Sequence, residues 1–249
     1  MIETATSLAF KHLSKLKRQH VLLHCQIPTS FDALNVPAII STLPIKDQSY
    51  LYSIKNSQAQ QRSLIARLML SKMSNELDDS KPLNINTYSF GKPVYSNFPM
   101  VHFNISHSRQ MVVCAFSWGL PIGIDVELHS TVELDVFRSY FTETEMELIN
   151  NSARPAATFY SLWTRKEALI KADGRGMGIN LDSVNVLNNR VNLGGCSYHI
   201  QNHNIHPNYS CAIACGNNMK VKIVNFNGVM TDMLQNSLDN KRKHNGEKQ

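Results

Sequence analysis

The sequence predicts an α+β fold in which two similar α/β halves each pack a small antiparallel sheet on a long helix. Hydrophobic residues make up 43% of the 249 residues, enough for a packed core and too many for a disordered chain. Two segments are typical of long helices, Gln58–Met73 and Ala156–Ala172. The apolar run Tyr209–Cys215 repeats the character of Met111–Ser117, as expected for a chain built from two similar halves.

The first half is predicted to span residues 1–120. Residues 30–46 are rich in proline and turn residues and are expected to be irregular. The helix Gln58–Met73 places Leu64 and Leu68 on one side, the pattern of a face buried against a sheet. Short strands are predicted at Ile85–Phe90, Val101–Ile105 and Met111–Trp118.

The second half is predicted to span residues 121–238, and residues 239–249 are predicted to be a basic disordered tail. Thr142 and Glu145 have the spacing of a capping box, which starts a helix. The predicted elements are a strand at Ile122–Glu127, a helix from the capping box to about Asn150, the helix Ala156–Ala172 that stops at Gly174, and several short strands between Leu181 and Phe226.

The chain is basic, with a formal net charge of +6. A basic protein favours an anionic partner, such as a nucleotide, a nucleic acid or an acidic protein. Aromatic and basic residues do not alternate as they do in proteins that stack bases, so nucleic acid is not the expected partner. No apolar run approaches the roughly 20 residues of a membrane span, and the start of the chain lacks the features of a secretory signal.

The cysteines predict a reducing compartment. There are five, an odd number without a Cys-x-x-Cys pair, and Cys114 and Cys211 lie in apolar or small-residue runs typical of buried thiols. We therefore expect free thiols and a cytoplasmic protein rather than a disulfide scaffold.

Asp125 and Glu127 are the first candidate functional residues. Ile122, Ile124 and Val126 alternate with the two carboxylates, so both acids share the face opposite the apolar side chains. A solvated strand edge is the simpler alternative. If the strand packs on the core, the two charges need a cation, and Mg²⁺ typically takes one or two carboxylates, water and substrate phosphates.

Glu167 and Lys171 lie one turn apart in the second long helix. Such an i,i+4 pair is often only a surface salt bridge, worth about 0.3–0.5 kcal/mol. Trp163 and Ile170 share that side of the helix, which predicts a face that is at least half buried. A buried Glu167 could be a third metal ligand or a general base, and Lys171 could hold a phosphate oxygen.

The first half offers further anion contacts, although a polar loop or a lysine in a turn would look the same. Ser106 and His107 follow a predicted strand, Lys92 lies in a rigid Gly-Lys-Pro turn, and Arg62 lies on the early helix. Ser106 and His107 are sequence neighbours without a Gly-x-Ser-x-Gly elbow, which disfavours a serine hydrolase. The histidines within residues 199–206 lack the helix and glutamate of a zinc protease motif.

The order of these motifs resembles the 4′-phosphopantetheinyl transferases of the larger, Sfp-type class. The most specific motif is Trp-x-x-Lys-Glu-Ala-x-x-Lys-x-x-Gly, and the resemblance covers residues 62–178 best. It implies a pseudo-twofold arrangement of the two halves, with coenzyme A and Mg²⁺ bound between them. It also implies transfer of 4′-phosphopantetheine from coenzyme A to a serine hydroxyl of an apo acyl or peptidyl carrier protein, releasing 3′,5′-ADP.

The resemblance assigns roles to individual residues. Glu167 would be the base for the carrier serine, and Lys171 would neutralise the pyrophosphate. The implied metal ligands are Asp125, Glu127 and Glu167. The implied catalytic residues are Glu167, Lys171 and His107. The implied coenzyme A contacts are Arg62, Lys92, Ser106, His107 and Lys171. Arg109 departs from the family pattern, since it stands where the family often has glycine.

The expected partner is an acidic carrier protein domain, met by a monomeric enzyme without nucleic acid or membrane. A basic surface would speed that encounter. The alternative is a non-catalytic module that binds carrier protein or nucleotide on the same scaffold. Three clustered carboxylates disfavour it, because simple binding needs no such cluster.

Overall fold

The computed structural model describes residues 20–28, 31, 36–77, 84–87, 93–217 and 220–232. The strands are β1 (His20–Gln26), β2 (Ile85–Thr87), β3 (Pro93–Tyr95), β4 (Val101–Ser108), β5 (Met111–Trp118), β6 (Ile122–Leu128), β7 (Arg190–Leu193), β8 (Cys196–Asn202), β9 (Tyr209–Cys215) and β10 (Val221–Asn225). The helices are α1 (Val36–Ile40), α2 (Ile45–Ser53), α3 (Ser57–Leu77), α4 (Leu134–Phe137), α5 (Glu143–Asn150) and α6 (Pro155–Asp173).

Two four-stranded sheets form the framework of a mixed α/β fold. The first has the strand order β10-β1-β5-β4, and the second has the order β6-β9-β8-β7. Helix α3 packs against the first sheet at β5, and helix α6 packs against the second at β6 and β9. Strands β2 and β3 form a separate short hairpin.

An apolar core joins the two sheets. Leu22 of β1 and Val113 of β5 meet Ile122, Ile124 and Val126 of β6, and all five side chains are buried. The face of β6 predicted to be apolar therefore faces the first sheet. Its opposite face, which carries Gly123, Asp125 and Glu127, is turned away from this core.

The end of the described chain returns to the first sheet. Strand β10 pairs in parallel with β1, and Phe226, Val229 and Met230 pack in the core of that sheet. The predicted second half, 121–238, includes this segment, whose apolar side chains complete the core of the first sheet. The division of the chain into two halves stays a prediction.

Residues 30–46 were predicted to be irregular, but their described part contains α1 and the start of α2. Pro37 is the second residue of α1, and Pro44 is the N-cap of α2. Proline is well tolerated in the first turn of a helix, where its missing N–H has no intrahelical partner to lose. The prolines here start helices and do not exclude them.

Other local predictions are confirmed. Thr142 and Glu145 form a complete capping box at the start of α5. Helix α6 begins at Pro155 and ends at Gly174, whose φ of 88° is left-handed. The predicted strand Ile85–Phe90 is described only to Thr87, and residues 239–249 lie outside the described part of the chain.

The five cysteines are free thiols, and Cys114 and Cys211 are buried as predicted. Burial raises the pKa of both thiols, so they stay protonated at neutral pH. Among the described residues, no helix combines the length and apolar character needed to cross a membrane.

Candidate active site

Helix α6 lies directly on β6 at Gly123. A Cβ atom added there would be 2.0 Å from the Ala168 carbonyl oxygen and 2.4 Å from the Ala172 nitrogen. No side chain larger than a hydrogen fits at such distances. The glycine therefore allows the close approach that brings the side chains of α6 over the acidic face of β6.

Asp125, Lys171 and Ser106 meet above this contact. Lys171 Nζ is 2.6 Å from Asp125 Oδ1, and the Ser106 hydroxyl donates to the same oxygen at 2.8 Å. Lys171 Nζ also lies 3.2 Å from Ser106 Oγ. The three side chains come from β6, α6 and β4, so this contact joins the two sheets and the long helix at one point.

Asp125 is only half satisfied. The residue is 3% exposed, and its second oxygen, Oδ2, is buried without a hydrogen-bond partner among the described residues. A buried carboxylate oxygen without a donor is costly, which makes this atom a candidate ligand for a cation.

Glu127 and Glu167 are strained electrostatically in the same region. Burial raises the pKa of Glu127, and the charges of Asp125 and Glu167 raise it further, against the lowering effects of the Ser108 hydrogen bond and of Lys171. Burial likewise raises the pKa of Glu167, and Asp125 adds to that rise while Lys171 opposes it. The negative charges of these carboxylates thus repel one another, and the positive charge of Lys171 offsets part of that repulsion.

A row of polar side chains on β4 holds the edge of β6. Asn104 Oδ1 accepts from the Ile124 N–H at 3.0 Å, and the Ser108 hydroxyl donates to Glu127 Oε2 at 2.7 Å. Ser108 Oγ also accepts from the Leu128 N–H at 3.1 Å. Sequence reasoning missed Asn104 and Ser108, although the period-two spacing of residues 104, 106 and 108 was a usable signal.

His107 and Arg62 lie on the first-half side of the site. Desolvation lowers the pKa of His107, and the nearby Arg62 and Lys171 cations lower it further, whereas Asp125 raises it. Arg62 Nη1 donates to the Arg109 carbonyl at 3.4 Å. Of the predicted anion contacts, Ser106 bonds to Asp125 and His107 is influenced by its charge, whereas Arg62 lies beside His107. Lys92 lies outside the described residues.

The predicted metal ligands do not form a ready-made metal shell. Across the described ranges, no three His, Cys, Asp or Glu side chains stand close enough together to hold a metal ion. Lys171 instead occupies one oxygen of Asp125. The three-ligand set stays a prediction, and the unpartnered Asp125 Oδ2 is the observation that fits it.

A second lysine of α6 serves another purpose. Lys166 Nζ is 2.8 Å from Glu145 Oε2, and both side chains are 0% exposed. The same ammonium group donates to the Leu181 carbonyl at 2.8 Å and also reaches the Val184 carbonyl. This pair ties α5 and the loop after α6 to the helix that carries the candidate site.

Trp163 does not pack on β6. Its ring contacts Phe137, Tyr140, Phe141 and Phe159 in an aromatic cluster. The expectation of a half-buried helix side holds for this residue, but the contact that sets α6 against the acidic strand is at Gly123.

The chain is similar in sequence to known proteins. Residues 121–215, which contain β6 and α6, match the model of the 4′-phosphopantetheinyl transferase superfamily. The 4′-phosphopantetheinyl transferase gsp of Aneurinibacillus migulanus is 32% identical over 166 residues, covering 65% of this chain and 69% of that protein. The chain belongs to the 4′-phosphopantetheinyl transferase family.

Two Bacillus subtilis members of the family are also similar. The 4′-phosphopantetheinyl transferase Sfp is 38% identical over 110 residues, which cover 43% of this chain and 49% of Sfp. The 4′-phosphopantetheinyl transferase ffp is 31% identical over 140 residues, covering 53% of this chain and 62% of ffp. The chain thus spans about half to two thirds of the length of these relatives.

Proposed function

We propose that this protein transfers the 4′-phosphopantetheine group from coenzyme A to a serine hydroxyl of an apo acyl or peptidyl carrier protein, with Mg²⁺, releasing 3′,5′-ADP. The observation that carries the proposal is the contact of Lys171, Asp125 and Ser106, with Glu127 and Glu167 beside it. A cluster of three acids and one mobile cation suits a pyrophosphate and a divalent metal better than it suits a fixed structural role.

The carboxylate donors present suit Mg²⁺, although no three of the described ones stand close enough together to hold an ion as they are. Asp125 would bind through its unpartnered Oδ2, and Glu127 and Glu167 would have to move toward it to supply the other carboxylates. A hard cation would relieve the repulsion that raises the pKa values of the two glutamates. When bound, such an ion offsets the charge on phosphate oxygens and orients them, and it usually keeps several waters and only one or two carboxylates.

Lys171 is placed to release Asp125 and bind phosphate. Its ammonium group sits between Ser106 and Asp125, and 28% of its side chain is exposed. The pyrophosphate of coenzyme A carries two negative charges, and a cation on Asp125 would weaken the hold of that carboxylate, so Lys171 would turn to the substrate. His107 and Arg62, on the same side, would contact further phosphate oxygens of coenzyme A, with Lys92 as a predicted partner.

Glu167 is the proposed general base. Burial raises its pKa and the charge of Asp125 raises it further, against the opposing effect of Lys171, which strengthens it as a proton acceptor. The carrier serine Oγ would bond to the phosphorus next to the pantetheine arm while its proton passes to Glu167. The bond from that phosphorus to the bridging oxygen breaks, and 3′,5′-ADP leaves with the oxygen and its electron pair.

The pseudo-twofold relation of the two halves belongs to the same proposal. The antiparallel strand set β1-β5-β4 has the order of the set β6-β9-β8, and each set carries one long helix. These similarities support the relation. The proposal also includes the partner, an acidic carrier domain attracted by the net charge of +6. It further includes a monomeric enzyme and a cytoplasmic location, which is in keeping with the free thiols.

The test is a transfer assay followed by mass spectrometry. Purified protein, coenzyme A, Mg²⁺ and an apo carrier should give a carrier heavier by one phosphopantetheine, and omission of Mg²⁺ should stop the reaction. Asp125→Asn should abolish transfer, whereas the exposed Asp135→Asn should not change it. A folded protein that binds coenzyme A but modifies none of several carriers would refute the proposal and favour a non-catalytic binding module.

A further inference from the structure

A cavity lies just beyond the carboxyl end of β6, next to His129. It has a volume of about 510 Å³ and lies between His129, which follows β6, the start of α6, and the connection from β8 to β9. None of the residues assigned to the proposed transfer reaction lines it. The cavity therefore needs its own explanation.

The described residues that line the cavity include no aspartate or glutamate. Among the described residues of its wall, Arg154 is the one lysine or arginine. His129 is fixed by a 2.9 Å hydrogen bond between its Nε2 and Ser210 Oγ and by stacking on Tyr160. The wall is thus electropositive, and its polar groups are held in place.

His203 has a buried ring nitrogen without a hydrogen-bond partner among the described residues. This nitrogen is Nε2, and the residue is 7% exposed and lines the cavity. Desolvation lowers the pKa of His203 to about 4, so the imidazole is neutral at pH 7. A neutral imidazole with its proton on Nε2 can donate to an oxygen atom, which a bound ligand would supply.

Asn202 holds Ser161 in place at the cavity wall. Its Oδ1 accepts from Arg165 Nη1 at 2.8 Å, and its Nδ2 donates to Ser161 Oγ at 3.2 Å and to the Ser161 carbonyl at 3.4 Å. Arg165 is itself fixed by the carbonyl groups of Val186 and Asn188. The amide nitrogen, not the amide oxygen, is therefore on the side of Ser161, a residue of the cavity wall.

The start of α6 adds a helix N-terminus to this wall. Arg154 is the N-cap and makes no side-chain cap hydrogen bond, and the first turn contains no acidic residue. Ala157, in that first turn, lines the cavity. The first N–H groups of a helix lack intrahelical partners and carry partial positive charge, which favours an anion.

A smaller cavity occupies the corresponding place in the first sheet. It lies between the end of β1, the start of α3 and the β4–β5 turn, with a volume of about 190 Å³. Arg62 and Arg109 line it, and Arg62 Nε is buried without a partner among the described residues. Each cavity thus combines a strand end, the start of a long helix, a hairpin, an arginine and an unpartnered buried nitrogen.

We propose that the cavity lined by His129, Arg154 and His203 is a second phosphate-binding site, which takes inorganic phosphate or a small phosphate ester. Arg154 would provide the charge, and His203 and the first turn of α6 would donate to the oxygens. The site is independent of the proposed transfer reaction, because it shares no residue with it.

The test is a titration of the intact protein with inorganic phosphate, followed by NMR of the histidine side chains. Phosphate should shift the signals of His129 and His203. Arg154→Gln should weaken phosphate binding by at least about tenfold, the loss expected for one charge-assisted hydrogen bond. Arg190→Gln, which removes an exposed arginine from β7, is the matched control and should leave the affinity within about twofold.

Two further ligands, acetate and coenzyme A, show whether the site prefers phosphate and whether the bound phosphate is the free ion or part of a nucleotide. Acetate at equal concentration should not reproduce the shifts, and equal binding of acetate would overturn the proposal. Coenzyme A that shifts the same histidines would identify a nucleotide phosphate as the ligand, whereas shifts by inorganic phosphate alone would identify the free ion. Phosphate that moves only His107, or binds Arg154→Gln as tightly as the parent, would also overturn it. None of these readouts depends on transfer activity.

Discussion

Helix α6 carries two lysine–carboxylate pairs that differ in how fully their charges are satisfied. Lys166 and Glu145 are both completely buried, and the backbone carbonyls of Leu181 and Val184 accept the remaining hydrogens of the ammonium group. The other oxygen of Glu145 accepts from the Val186 N–H at 2.7 Å. Every charge in this pair has its partners inside the protein.

The pair of Lys171 and Asp125 is open. Lys171 is 28% exposed, Asp125 Oδ2 has no partner among the described residues, and Glu127 and Glu167 add negative charge that one lysine cannot balance. A fully satisfied pair can only hold the fold together, whereas an open pair can exchange partners with a substrate. The two lysines are close together on the same helix, and each pairs with a carboxylate. The pairs therefore differ in how far their surroundings satisfy the charges, not in the kinds of group they contain.

The strongest test of the open pair is Glu167→Gln. The change removes the proposed base while keeping the size of the side chain, so transfer should fall by about 10²–10⁴-fold. Steady-state transfer to an apo carrier, followed by mass spectrometry, measures the loss. Glu147→Gln, an exposed change on α5, is the control. Unchanged transfer by a folded Glu167→Gln protein would remove Glu167 from the mechanism.

The buried pair should respond in stability instead. Lys166→Met leaves Glu145 charged and buried, and we expect a loss of about 3–5 kcal/mol in the free energy of unfolding, measured with urea. Adding Glu145→Gln should recover part of it, because the buried charge is removed, but the single amide oxygen can accept from the Thr142 N–H or from the Val186 N–H and not from both. The exposed Lys220→Met should change stability by less than about 0.5 kcal/mol. A double variant no more stable than Lys166→Met alone would show that packing, not charge, holds this region.

The contact beneath the open pair can be broken at Gly123. A methyl group in Gly123→Ala would meet the backbone of Ala168 and Ala172, so α6 must move away from β6. We expect a loss of about 1–3 kcal/mol in unfolding free energy, as for other overpacked sites, together with a loss of transfer. Gly216→Ala is the matched control, because its added Cβ would lie 3.6 Å from Leu120 Cδ2, an ordinary contact. If both variants behaved alike, the close approach of α6 would not be essential.

The sequence predicted the local parts of the open pair. Period-two alternation placed Asp125 and Glu127 on one face of β6, and helical spacing placed Glu167 beside Lys171. It could not show that Lys171 reaches Asp125, because that contact depends on the approach of α6 to β6.

The long-range parts escaped prediction for the same reason. The hydrogen bonds of Asn104 and Ser108 with β6 join strands of different sheets, and β10 returns to β1, where His20 pairs with Val221. The buried pair of Lys166 and Glu145 lies in the same category, since each residue has a simpler local interpretation as part of a helix surface or a capping box.

The smallest expected effect is a pH dependence of stability that comes from Glu167, beside the pair of Lys171 and Asp125. The folded protein raises the pKa of Glu167 above its ordinary value of 4.5, so between that value and the raised one it binds more protons than the unfolded chain. Stability from this group is therefore present at low pH and is lost as pH rises through the raised pKa. Glu167→Gln should be more stable than the parent at about pH 8, with the difference shrinking toward pH 4.5. Thermal unfolding measures it, with Glu147→Gln as control, and a parent that is the more stable protein at about pH 8 would mean that Glu167 is already neutralised by its neighbours.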